Sequence, residues 1–197
     1  MASLLRERTD EELEWFLFFS IAVAGKTGLI VEQAVERFFQ FAHERPFEYI
    51  RQLMADGWYT AALRAARVGQ YTKMNRAMRH IIQSGLNPRT CTLDELEAVP
   101  GIGPKTARFF LLYTRPGQRV AALDIHILRF LRRIGVDAPD NTPQNPKTYR
   151  RLEKAFLDAA DGLEMTPAEL DDVLWRGSSY KPKAPVAQLA EPGLLKS

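Results

Sequence analysis

The chain has 197 residues, 46% of them hydrophobic and 26% charged, with a formal net charge of +3. That is enough apolar material for one or two globular domains, and a charge balance that neither demands nor excludes nucleic acid. Cys91 is the one cysteine, so neither an intrachain disulfide nor a cysteine metal site can be built. The start is charged and carries no secretory pattern. Trp15 to Ala24, the first long apolar run, is too short to span a bilayer. No membrane association and a cytoplasmic, nucleoid-associated location are expected.

The predicted elements are helices. Glu11 to Ala24 is apolar on most sides, which predicts a central helix. Leu29 to His43 places Ile30, Ala34, Val35, Phe38 and Phe41 at helical spacing, and shorter helices are predicted over Phe47 to Met54 and Tyr59 to Ala66. Gly25-Lys26-Thr27, between the first two, is not a phosphate loop, because the upstream glycine of that motif is missing. Tyr71 to Ser84 carries Met74, Met78, Ile81 and Ile82. Thr92 followed by Glu95 has capping-box spacing and predicts the start of a short helix bearing Leu93, Leu96 and Val99.

Pro100-Gly101 ends that helix, and Gly101-Ile102-Gly103-Pro104-Lys105-Thr106-Ala107 follows. Gly101 and Gly103 are expected to adopt backbone geometries that a Cβ would penalise. Pro104 suits the first turn of a helix, where its missing N–H costs nothing. The new helix, Lys105 to Thr114, opens with free N–H groups that favour a phosphate oxygen. Gly101, Ile102, Gly103 and Thr106 are therefore the candidate DNA-backbone contacts. An ordinary packed corner, or a hairpin that only binds DNA, would use the same glycines.

Arg119 to Leu123 is a short extended apolar run, and Asp124 follows it, nineteen residues after Lys105. Ile125, Leu128, Leu131 and Ile134 then have helical spacing, which makes Asp124 a candidate N-cap. A capped carboxylate is also a fixed one. Asp137 to Pro146 reads as a Pro/Asn-rich loop, Lys147 to Ala160 as an amphipathic helix, and Thr166-Pro167 as the start of a last helix. Pro182 onward reads as a loose tail. Arg64, Arg67, Lys73, Arg76 and Arg79 precede the hairpin and Arg129, Arg132 and Arg133 follow Asp124. These are solvated faces by default, and some are expected to hold DNA backbone.

The glycine hairpin with Lys105, followed by Leu123-Asp124-Ile125-His126, resembles the helix-hairpin-helix DNA glycosylases, the endonuclease III superfamily, from about Gly69 to Gly135. The resemblance implies an all-α fold in two lobes with a cleft between them. One lobe would be a helical barrel over 27–118, the other 1–26 plus 119–181, with 182–197 as a tail. It also implies that Lys105 is the nucleophile of a base-excision glycosylase with AP lyase activity, acting through a Schiff base. An amine attacks only when neutral, and free lysine titrates near ~10.4. Burial and the positive end of a helix both work against a charged amine. Asp124 matches the family's essential aspartate, expected to stabilise positive charge on the sugar. His126 matches its histidine, read as structural or near a phosphate.

A flipped base needs an apolar pocket. Trp15, Phe18, Phe19, Phe109 and Trp175 are candidates, with Trp175 preferred. Endonuclease III holds an iron–sulfur cluster on C-terminal cysteines. None stands here, so no cofactor is expected. Ser20 to Thr27 lacks the glutamine that pyrimidine-specific relatives insert. Together with Leu123 to Leu128 and Asp171…Trp175, this leans toward the compact archaeal-type 8-oxoguanine glycosylases. The expected partner is double-stranded DNA carrying a damaged base or abasic site, met by a monomer. The competing reading is a non-catalytic helix-hairpin-helix DNA-binding module.

Overall fold

A computed structural model describes residues 7–179. The expected tail at 182–197 lies outside the described residues. Those residues form ten α-helices and no strand, so the fold is all-α: α1 (Asp10–Val23), α2 (Gly28–Phe39), α3 (Pro46–Ala55), α4 (Tyr59–Ala65), α5 (Tyr71–Ser84), α6 (Leu93–Ala98), α7 (Pro104–Thr114), α8 (Ile125–Arg133), α9 (Pro146–Gly162) and α10 (Pro167–Ser179). They fall into two compact units, one running through Phe110 and one from Leu111 onward.

In the first unit α1 is the central element. Thr9 and Glu12 close a capping box at its start: Glu12 N–H donates to Thr9 Oγ1 at 3.2 Å and Thr9 N–H to Glu12 Oε2 at 2.9 Å. Leu13, Leu17, Phe18, Ile21 and Ala22 are buried, and the helix packs on α2, α3 and α5. The Phe18 ring stacks on Phe38 with centroids 4.9 Å apart. The buried carboxylate of Glu14 accepts the Phe47 N–H at 3.0 Å and pairs with Arg45, which ties α1 to the first turn of α3. The sequence-based boundaries placed this helix in the lobe that carries Asp124. Its packing partners are instead the helices of the first unit, because its apolar surface faces them and Glu14 caps one of them.

In the second unit α8, α9 and α10 pack on one another around Leu123, Ile127, Leu128, Leu131, Tyr149, Leu152, Phe156 and Leu170. Asn145 caps α9, which begins at Pro146. Thr166 and Glu169 form a third capping box at α10. Arg132, one of the cations considered for DNA backbone, donates to the carbonyls of Ala138 and Pro139 at 3.2 and 2.6 Å and pairs with Asp140. It holds its own loop. Arg129 and Arg133 are exposed.

Candidate active site

The hairpin is built from both sides by local chemistry. The predicted capping box sets α6: Glu95 N–H donates to Thr92 Oγ1 at 3.2 Å, and Thr92 N–H to Glu95 Oε2 at 2.7 Å. These bonds hold the Glu95 carboxyl below its ordinary pKa. The turn then closes with Ile102 N–H on the Val99 carbonyl at 2.9 Å, and the Ile102 side chain is buried. Gly101 has φ +100°, a region that L side chains rarely adopt. A Cβ there would also stand 3.0 Å from Lys73 Cγ.

Gly103 differs from expectation. Its φ is not in the left-handed region, and a Cβ would meet nothing within 4 Å. Gly103 is exposed, and its lack of a side chain leaves the backbone open on the outside of the hairpin. Gly103→Val is therefore expected to fold normally and to weaken binding to damaged and undamaged duplex alike, since phosphate contacts carry no lesion information directly. Equilibrium titrations of both duplexes check this. A loss confined to one lesion would put the hairpin in the base pocket instead.

The Gly103 carbonyl accepts the Ala107 N–H at 3.1 Å and starts α7, with Pro104 as its first residue. The amides of Lys105 and Thr106 fall in the first turn, where no intrahelical acceptor exists. Thr106 is buried, and Lys105 is partly buried. Arg108, also buried, pairs with Glu97 of α6 and reaches the Pro104 carbonyl at 3.3 Å. This ion pair clamps the two helices of the hairpin. Sequence reasoning missed it, because no local spacing pairs Glu97 with Arg108, eleven residues later.

Asp124 caps α8 as expected. Its Oδ1 accepts from His126 N–H at 2.8 Å and Ile127 N–H at 3.0 Å, while Oδ2 bonds to none of the described residues. The carboxylate is thus fixed by one oxygen and available through the other. The segment before it is pinned by side chains that the sequence reading did not single out. The Tyr149 hydroxyl donates to the Ala121 carbonyl at 2.8 Å and accepts the Leu123 N–H at 3.1 Å. Glu153 Oε1 accepts the Ala121 N–H at 2.9 Å, and Thr142 Oγ1 donates to the Leu123 carbonyl at 2.7 Å. His126 Nδ1 is buried without a hydrogen-bond partner.

The aromatic candidates separate. Phe18 is core. Trp15 and Phe19 stack on each other with centroids 5.4 Å apart, and Phe109 packs on Phe16 at 5.5 Å. Trp175 lies on α10 and is 55% exposed. One turn earlier, buried Asp171 accepts from the Tyr113 hydroxyl. Burial, then the charge of Asp171, pushes the Tyr113 pKa far up, so the phenol stays a donor. Gly101, Ile102, Gly103, Lys105 and Thr106 thus meet at the α6–α7 turn of the first unit, while Asp124 and Trp175 belong to the second. Among the described residues no group of three or more His, Cys, Asp or Glu could hold a metal ion, and no helix is long and apolar enough to cross a membrane.

A family model described as 8-oxoguanine DNA glycosylase matches residues 4–165. The chain belongs to that family, a helix-hairpin-helix group of DNA-binding repair glycosylases. The match covers the capped α6, the hairpin, Lys105 and Asp124, and it runs well beyond the Gly69 to Gly135 stretch that the motifs carry. Comparison with curated proteins gave no match.

Proposed function

We propose that the protein is a bifunctional DNA glycosylase and AP lyase that removes 8-oxoguanine from duplex DNA, with Lys105 as nucleophile and Asp124 as electrostatic partner. The observation that carries this reading is a lysine as second residue of α7, directly behind the glycine hairpin, in a chain of the 8-oxoguanine glycosylase family. The neutral Nζ of Lys105 attacks C1′ of the flipped nucleotide. The C1′–N bond breaks, and the base leaves with the electron pair and takes up a proton. The nitrogen then gives up one proton and its lone pair forms C1′=N as the C1′–O4′ bond breaks and O4′ takes up a proton, leaving a protonated Schiff base between Lys105 and C1′. Loss of a proton from C2′ then expels the 3′ phosphate and cuts the strand.

The charge that develops on the sugar is positive. A carboxylate fixed before the reaction, with one oxygen tied to the α8 amides and the other free, suits that charge without reorganisation. Trp175 offers a stacking face to a purine. Stacking is worth about 1–3 kcal/mol per base in single-strand binding. That helps hold a flipped base but does not choose between purines. No step calls for a cofactor.

The test is base release from duplexes carrying 8-oxoguanine opposite cytosine, thymine glycol or uracil, under single-turnover conditions. The 8-oxoguanine duplex is expected to react fastest, with strand cleavage following base loss. A preference for thymine glycol would overturn the substrate while leaving the lysine chemistry intact. Base release without cleavage would remove the lyase step.

A further inference from the structure

Asp124 ends a segment, 118–124, that belongs to no helix or strand. Val120, Ala121, Ala122 and Leu123 are nonetheless buried, so their peptide groups need partners that no regular element supplies. Four consecutive peptide groups find them on side chains. In the first, Ala121 N–H donates to Glu153 Oε1 at 2.9 Å. In the second, the Ala121 carbonyl accepts the Tyr149 hydroxyl at 2.8 Å, and in the third, Leu123 N–H donates to the same hydroxyl at 3.1 Å. In the fourth, the Leu123 carbonyl accepts Thr142 Oγ1 at 2.7 Å. That last peptide group contains the amide nitrogen of Asp124 itself.

All three side chains come from one stretch of chain, Thr142 before α9 and Tyr149 and Glu153 on it. Tyr149 is buried, and its one hydroxyl both donates and accepts, which joins two neighbouring peptide groups. Leu123 N–H also reaches the Ala121 carbonyl at 3.0 Å, so the hydroxyl closes over a tight three-residue turn. The chain leaves that turn into α8, where Asp124 Oδ1 takes the His126 and Ile127 amides. A carboxylate stabilises a developing positive charge only from where it stands before the reaction, and such an arrangement tolerates displacements of about 0.5 Å. The bonds from Tyr149 and Thr142 lie on the backbone that decides this position.

We propose that Tyr149 and Thr142 are positioning residues of the excision step: they act through Asp124, by fixing the backbone that carries its carboxylate. The proposal rests on the reading of Asp124 as the electrostatic partner of the reaction, and it adds two residues that the Asp124 motif does not contain. A purely structural role, in which the two hydroxyls only satisfy buried backbone, makes a different prediction. It would lower stability and would not depend on whether residue 124 carries a charge.

The test is a double-mutant cycle read as single-turnover excision, on whichever of the three lesion duplexes the wild type processes fastest. Tyr149→Phe, Thr142→Val and Thr142→Ser are each made in the wild type and in Asp124→Asn. Melting curves confirm the fold, and titration of a tetrahydrofuran duplex measures binding. In the wild-type background Tyr149→Phe and Thr142→Val are expected to slow excision about 10-fold, within the 10²-fold that a misplacement of about 1 Å can cost. Binding should be unchanged, and Thr142→Ser, which keeps the hydroxyl, should restore most of the rate. In the Asp124→Asn background the same substitutions should change the rate by no more than about twofold, because the group they position is gone. Thr142 is only half-buried, so its variants carry the comparison even if Tyr149→Phe does not fold. Equal slowing in both backgrounds would overturn the proposal, as would wild-type rates in the folded variants; both leave the role of Asp124 standing. If Asp124→Asn alone is not slowed, the reading of Asp124 fails first and the proposal falls with it.

Discussion

Lys105→Gln is expected to bind duplex DNA about as well as the wild type and to leave no covalent adduct when borohydride is added to an abasic duplex. Glutamine is a good helix former of similar length, so the first turn of α7 survives the change. The hairpin amides and the Arg108–Glu97 clamp are untouched. What disappears is the amine proposed to form an imine with C1′. Gel detection of the reduced adduct, beside a mobility-shift titration, separates the two outcomes. An adduct of wild-type yield in the variant would move the nucleophile elsewhere and return the hairpin to a binding role.

Asp124→Asn is expected to slow single-turnover base excision by about 10²- to 10³-fold, the usual loss when one preorganised electrostatic group is removed. The fold should not change. Asparagine caps about as well as aspartate, and its Oδ1 can still accept from His126 and Ile127. The pinning of Ala121 and Leu123 by Tyr149, Glu153 and Thr142 also stays in place. The substitution therefore removes charge and little else. Thermal melting and excision measured on the same preparation check both halves. Excision within a few-fold of wild type would reduce Asp124 to a helix cap.

What could be read from the residues is what depends on neighbours three or four positions away. The Thr92–Glu95 box, the start of α7 at Pro104 and the Asp124 cap are all of this kind, and each stands where its spacing put it. Partners distant in sequence left no local mark. Glu14 looks like a stray acid in an apolar helix until Arg45 and Phe47 are brought to it. Tyr149 reads as one more apolar position of α9, yet it holds the backbone before Asp124 from 26 and 28 residues away. The placement of α1 is lost for the same reason: an apolar run says that a helix is buried, not against what. Gly101 and Gly103 look equivalent in the motif. Their structure separates them: Gly101 has φ +100° and Lys73 against it, while Gly103 has neither and faces open space.

The central claim is that Lys105 attacks the sugar. Its most direct test is to digest the borohydride-reduced adduct of the wild-type protein and an abasic duplex, and to locate the sugar by mass spectrometry. The modification is predicted on the peptide containing Lys105, at its Nζ. A sugar on another lysine, such as Lys73, whose stem lies against Gly101, or no reducible adduct at all, would contradict that claim.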